Sequence, residues 1–138
     1  MNPPTVTSRP SDEWRSDMTK VLVVDDEKNI RRLYESELKR EGYEVETAES
    51  AEEALERIED GPPDLVVLDI RLEGMDGIDC LRTIMERRRD LPVILNSAYS
   101  TYKQDFASWM ADAYVVKSAD LTELKAKIRE VLEKRGRV

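Results

Sequence analysis

Five short apolar runs, at residues 20–24, 43–48, 64–68, 91–96 and 112–116, alternate along the chain with segments of helical spacing. Most of the runs, such as Val21-Leu22-Val23-Val24 and Leu65-Val66-Val67-Leu68, are rich in Val, Leu and Ile without strict polar alternation. A strand with that pattern is buried on both faces, as in a parallel sheet covered by helices on both sides. The segments between supply the helices. Ile30, Leu33, Tyr34 and Leu38 repeat at helical spacing, and Gly42 follows as a stop. Ser50-Ala51-Glu52-Glu53 reads as a capping box opening a helix whose apolar face is Ala51, Ala54, Leu55 and Ile58. Gly61-Pro62-Pro63 ends it. Ile78, Leu81, Ile84 and Met85 mark a third helix that runs into Arg87-Arg88-Arg89. A further helix is expected over about 100–110 with Tyr102, Phe106 and Trp109, and a last one from Asp120 with Leu121, Leu124, Ile128, Val131 and Leu132 inward.

Strand and helix thus alternate five times. Right-handed crossovers turn that order into a three-layer α/β sandwich, the flavodoxin-like doubly wound (βα)5 fold with strand order 2-1-3-4-5. The 138 residues make one domain, 19–138, preceded by a Pro-, Ser- and charge-rich segment at 1–18 that reads as a flexible tail. The net charge of −8 disfavours nucleic acid and anionic membrane and favours basic or metal-ion partners. No apolar run approaches the roughly 20 residues of a membrane span. Cys80 is the single cysteine, so an internal disulfide is impossible, and a reducing, cytoplasmic location is expected.

Four of the apolar runs end in groups suited to chemistry. Asp25-Asp26 follow the first, Asp69 ends the third, Ser97 follows the fourth and Lys117 the fifth. In an open α/β sheet the C-terminal strand ends converge on one edge, where ligands bind. The expectation is one acidic pocket with a cation beside it. Three clustered carboxylates raise one another's pKa unless a cation joins them, and Mg2+, which takes oxygen ligands, is the natural one. On the simplest structural reading, Asp25-Asp26 cap the first helix and Lys117 is only the salt-bridge partner of Asp69. With Mg2+ and Lys117 at hand, Asp69 could instead take a phosphoryl group as an aspartyl phosphate. The absence of histidine excludes a Ser-His-Asp hydrolase, and no glycine-rich phosphate loop is present. The loop Ile70-Arg71-Leu72-Glu73-Gly74-Met75-Asp76-Gly77 lies beside the pocket and offers backbone carbonyls to a metal.

The segments VLVVDDE, LVVLDIRLEGMDG, VILNSA and ADAYVVKS together resemble the receiver domain of two-component response regulators, of the stand-alone chemotaxis-messenger type, over about residues 19–135. The resemblance implies that Asp69 is the phosphoacceptor, that Asp25, Asp26 and Asp69 hold Mg2+ with the backbone carbonyl of Arg71, and that Lys117 contacts the phosphoryl group. It makes Ser97 the switch hydroxyl and Tyr114 the switch aromatic. It places Arg71 and Tyr99, both bulky, beside the path of the hydrolytic water, which implies slow autodephosphorylation. Three positions depart from the family pattern. Ser118 replaces the usual proline after the lysine, Glu73 replaces a common proline, and Met110 stands where a glycine often lies. A cis bond before a non-proline residue costs about 2.5–4 kcal/mol, so a trans or a strained bond is expected at Ser118, and the aim of Lys117 is the property at stake.

The implied function is a signalling switch in a phosphorelay, in which a sensor histidine kinase or phosphotransfer protein is the donor. Because nothing after the last helix resembles an output segment, output is expected through a downstream protein or phosphorylation-dependent dimerisation. The expected surface is the face of the 100–110 helix, the fifth strand and the last helix, with Tyr102, Trp109 and Tyr114. Such a domain catalyses its own modification and is not a turnover enzyme. Two alternatives stand beside it. One is a receiver-like binding module that is never phosphorylated. The other is a Mg2+-dependent aspartyl-phosphate phosphatase, which typically needs Asp-x-Asp, whereas Asp69 is followed by Ile70 and Arg71.

Overall fold

A computed structural model describes residues 18–72, 74–98 and 111–136. The elements in order are β1 (Lys20–Val24), α1 (Lys28–Arg40), β2 (Glu44–Ala48), α2 (Ala51–Asp60), β3 (Leu65–Asp69), α3 (Gly77–Arg87), β4 (Val93–Ser97), β5 (Ala113–Val116) and α4 (Thr122–Lys134). The strands form one parallel sheet in the order β2-β1-β3-β4-β5, the expected doubly wound topology. Strand ends differ from expectation by a residue or two. The segment 100–110, with Tyr102 and Trp109, lies outside the described residues, as do Glu73, Tyr99 and the tail up to residue 17.

Alternate residues of each strand go to opposite layers. Val21, Val23, Leu65, Val67, Ile94 and Val115 pack with Tyr34 and Leu38 of α1 and with Leu124, Ile128 and Leu132 of α4. Leu22, Val24, Val66, Leu68, Val93, Leu95 and Tyr114 pack with α2 and with Cys80, Leu81 and Ile84 of α3. This explains the unbroken apolar runs, since neither face meets water. Burial pushes the Cys80 thiol up to about 12, which leaves it a small core residue. Leu33, read with the α1 stripe, is instead 38% exposed. It lies to the side of the line Ile30, Tyr34, Leu38 that meets the sheet.

The end signals fold as read, with one adjustment. The Gly42 N–H donates to the Lys39 carbonyl at 3.0 Å and the Tyr43 N–H to that of Leu38 at 3.3 Å. Gly42 itself stands at φ +98°, the left-handed cap that ends a helix in this way. At α2 the Ser50 hydroxyl accepts from the Glu53 N–H at 3.1 Å, while the Glu53 carboxylate reaches back to the Glu49 N–H at 2.8 Å, one residue before the cap.

Candidate functional site

The ladders run one step beyond β1 and β5. The Asp25 N–H donates to the Ala48 carbonyl at 3.1 Å and the Lys117 N–H to that of Ser97 at 2.7 Å. Asp25 therefore stays in phase with Val21 and Val23, and Lys117 with Ala113 and Val115. Asp69 is in phase with Leu65 and Val67. All three project on the α1/α4 side of the sheet, and backbone alternation alone brings them to one edge.

Asp25 and Asp69 are buried and Asp26 is exposed, and each offers a carboxylate oxygen to a common point, the three oxygens lying within 4.8 Å of one another. The Lys117 ammonium lies 2.7 Å from Asp25 Oδ2 and 3.0 Å from Asp69 Oδ2, with Glu27 at 4.0 Å. Asp25 also accepts from the Glu27 N–H at 2.9 Å. That bond makes an Asx turn ahead of α1, whose cap residue is Glu27 and which has no side-chain cap, so the helix-capping reading of Asp25-Asp26 does not hold and the Asp25 carboxylate serves the pocket. Arg31 binds the Asp25 carbonyl at 2.8 Å and fixes the turn from behind.

Burial pushes the Asp69 carboxyl above the usual carboxylate range; Lys117 opposes this and the Asp25 charge adds to it. Burial works against the charge of Lys117, but its hydrogen bonds and charge contacts with Asp25 and Asp69 outweigh that, and its pKa is raised. One ammonium is thus shared between two buried carboxylates, with Asp26 at the rim. The donor set is hard oxygen only and carries excess negative charge, which fits a divalent cation such as Mg2+.

The loop after β3 is tied to the pocket. The Arg71 N–H donates to Asp69 Oδ1 at 3.2 Å, and the Arg71 side chain is exposed. Gly77, first residue of α3, donates its N–H to the Ile70 carbonyl at 2.8 Å. A Cβ on Gly77 would overlap the Asp69 carbonyl oxygen and come within 2.6 Å of the Ile70 Cα. α3 therefore rests its first turn directly on the backbone of Asp69.

Ser97 is fully buried at the end of β4, one residue beyond the register partner of Asp69. It is in phase with Val93 and Leu95, on the α2/α3 side. Tyr114 belongs to the same side and is 8% exposed, packed inward rather than presented at the surface. Ser118 follows Lys117 through a trans bond, since no cis peptide occurs among the described residues. Lys117 nonetheless reaches both carboxylates.

Sequence reasoning missed Asn96 and Tyr34. Asn96 is 2% exposed and its Nδ2 donates to the Tyr34 hydroxyl at 2.7 Å across the layer. The available signal was a polar residue directly after Val93-Ile94-Leu95, with Tyr34 on the apolar stripe of α1.

Comparison with known proteins agrees with this geometry. The family model described as the response regulator receiver domain matches residues 21–129. Response regulator ArlR of Staphylococcus aureus is 34% identical over 118 residues, covering 85% of this chain and 54% of its own length. The chain thus spans about half the length of the curated relatives it matches. Among solved structures, response regulator TrrA of Thermotoga maritima in complex with Mg2+-BeF is 49% identical, covers 83% of this chain and 100% of its own, and superposes with a TM-score of 0.81. TrrA in complex with histidine kinase ThkA is likewise 49% identical, with coverage of 83% and 99% and a TM-score of 0.79. A CheY-like receiver domain protein from Methanospirillum hungatei JF-1 is 32% identical, with coverage of 86% and 97% and a TM-score of 0.81.

Proposed function

The chain belongs to the response regulator receiver domain family, and from that premise we propose that it is a phosphorylation switch in which Asp69 accepts a phosphoryl group from the phosphohistidine of a sensor histidine kinase or phosphotransfer protein. The observation that carries this reading is the pairing of Asp69 with Lys117 at 3.0 Å beside Asp25 and Asp26. A relative's structure with Mg2+-BeF and another with a histidine kinase support it by likeness.

An Asp69 carboxylate oxygen attacks phosphorus; the O–P bond forms, the P–N bond of the phosphohistidine breaks, and the electron pair returns to the imidazole nitrogen. Asp25, Asp26, Asp69 and the Arg71 carbonyl would hold Mg2+, which would supply positive charge to offset the negative charge on the phosphoryl oxygens. Lys117 meets those oxygens from the other side as a compact point charge. Ser97 then turns its hydroxyl to the modified Asp69 and Tyr114 moves with it, shifting a two-state equilibrium. The output is binding of a downstream protein, or of a second copy, at the face of β5 and α4, with Tyr102 and Trp109 as the contributors that the sequence suggests. A cytoplasmic setting follows from this role. Among the described residues no helix is long and apolar enough to cross a membrane.

The test is intact mass after incubation with Mg2+ and acetyl phosphate. A gain of one phosphoryl group is expected, and its loss in Asp69→Asn and without Mg2+. No gain, under conditions that label a related receiver, would point to a binding module that is never phosphorylated.

The lifetime of the label is a second expectation. By the family resemblance Arg71 and Tyr99 occupy the positions that govern access of the hydrolytic water, so Arg71→Ala and Tyr99→Ala should each shorten the half-life of phosphorylated Asp69 in a decay assay. Unchanged decay in both variants would remove these residues from lifetime control.

A further inference from the structure

Asn96 and Tyr34 are a buried polar pair on the α1/α4 side of the sheet, in the layer whose apolar core includes Val23, Val67, Ile94, Val115, Leu124 and Ile128. The pair satisfies one side of the amide, through Nδ2 to the Tyr34 hydroxyl at 2.7 Å. The other side, Asn96 Oδ1, is buried with no hydrogen-bond partner among the described residues. An orphaned buried carbonyl is destabilising, and an apolar pair of the same shape carries no such penalty. Core packing therefore gives no reason for an amide here.

The sheet order shows what the amide faces. Asn96 is the register partner of Asp69 on one side and of Val115 on the other. Lys117 leaves the end of β5, and its ammonium lies 3.0 Å from Asp69 on β3 and 2.7 Å from Asp25 after β1. β4 stands between β5 and β3, so the lysine side chain must cross the end of β4. The residue of β4 that projects at that end, on the same side of the sheet, is Asn96. Tyr34 braces it from α1. Burial pushes the Tyr34 phenol up, and its hydrogen bond with Asn96 opposes that.

An ammonium has three donors, and Asp25 and Asp69 take two of those of Lys117. We propose that Asn96, braced by Tyr34, is a positioning residue for Lys117, its amide oxygen being the acceptor that keeps the ammonium over the pocket when Asp25 and Asp69 turn to a metal and a phosphoryl group. The inference rests on the switch reading above and adds to it the residue that aims the lysine. It also accounts for how Lys117 is held without the usual proline after it.

The test compares Asn96→Leu, Tyr34→Phe and the double variant with the natural chain. Labelling by acetyl phosphate is followed at saturating Mg2+ and donor, with Mg2+ affinity measured by calorimetry and stability by urea unfolding. Asn96→Leu should label about 10-fold more slowly, in line with the cost of a misplaced catalytic group, while Mg2+ affinity stays within about twofold; its stability falls because the buried Tyr34 hydroxyl loses its partner, and the double variant, apolar at both positions, recovers it. Tyr34→Phe should slow labelling by about threefold, and the double variant should match Asn96→Leu alone, because Tyr34 acts through Asn96. Labelling of Asn96→Leu at the natural rate overturns the proposal, as does a loss that only tracks Mg2+ affinity.

A separate readout is the Lys117 ammonium 15N–1H signal in protein loaded with Mg2+ and beryllium fluoride. It should be protected in the natural chain and in fast exchange in Asn96→Leu; equal protection in both overturns the proposal. If the natural chain takes no label from acetyl phosphate, the switch reading fails, and the same signal compared between the two proteins with Mg2+ alone decides the role of Asn96. Should Asn96→Leu fail to fold, Tyr34→Phe decides by the same two readouts.

Discussion

Lys117→Met should destabilise the protein in EDTA by about 2–4 kcal/mol, and Mg2+ should restore most of that loss. The ammonium is 2.7 Å from Asp25 Oδ2 and 3.0 Å from Asp69 Oδ2, and both carboxylates are nearly inaccessible. Removing one member of a buried ionic group strands the rest, and such losses run to about 3–5 kcal/mol. The figure is set lower here because the pocket opens to water at exposed Asp26 and because Asp69, already raised by burial, sheds part of the penalty by taking a proton. Asp69→Asn should show the opposite sign. It removes a desolvated charge that repels Asp25 and leaves Lys117 with a partner, so the metal-free protein should be as stable as the natural one or more so, while losing all phosphorylation. Paired urea titrations with EDTA and with Mg2+ measure both. Equal stability of Lys117→Met and the natural chain in EDTA would mean that the shared ammonium contributes little to the fold.

Gly77→Ala should cost about 3 kcal/mol or more, although alanine favours a helix. The added carbon meets the Asp69 carbonyl oxygen and the Ile70 Cα, which are backbone atoms of the strand end and cannot rotate away. Either α3 lifts or Asp69 moves, so under the proposed switch the variant should also be labelled slowly by acetyl phosphate. Gly42→Ala is the control. It has φ +98° and open space around the new carbon, so the strain of a left-handed alanine, about 1–2 kcal/mol, is all it should lose. Urea unfolding of the two variants separates overlap from backbone strain. Equal losses would show that the α3 contact relaxes.

The strands were readable because each is buried on both sides, which forces near-continuous apolar runs. The pocket was readable because a charged or hydroxyl residue closes four of those runs. Asp25, Asp26, Asp69 and Lys117 converge as their positions implied, and the trans bond to Ser118 leaves the lysine in place. What the sequence concealed is contact between distant segments. Tyr34 and Asn96 are 62 positions apart; each alone reads as an amphipathic helix residue and a strand end, and only the fold puts a hydroxyl against an amide. Leu33 was misread for a related reason, because a helical stripe shows its centre more clearly than its edge. The reach of Glu53 to Glu49 rather than to Ser50 depends on a local backbone angle that no residue pattern encodes.

Asn96 and Ser97 are consecutive, yet they face opposite layers. Under the proposed switch, the amide that aims the lysine and the hydroxyl that senses the phosphoryl group are joined by a single peptide unit. A shift of the end of β4 cannot move one without the other, so arrival of the label and its detection are geared to the same stretch of backbone.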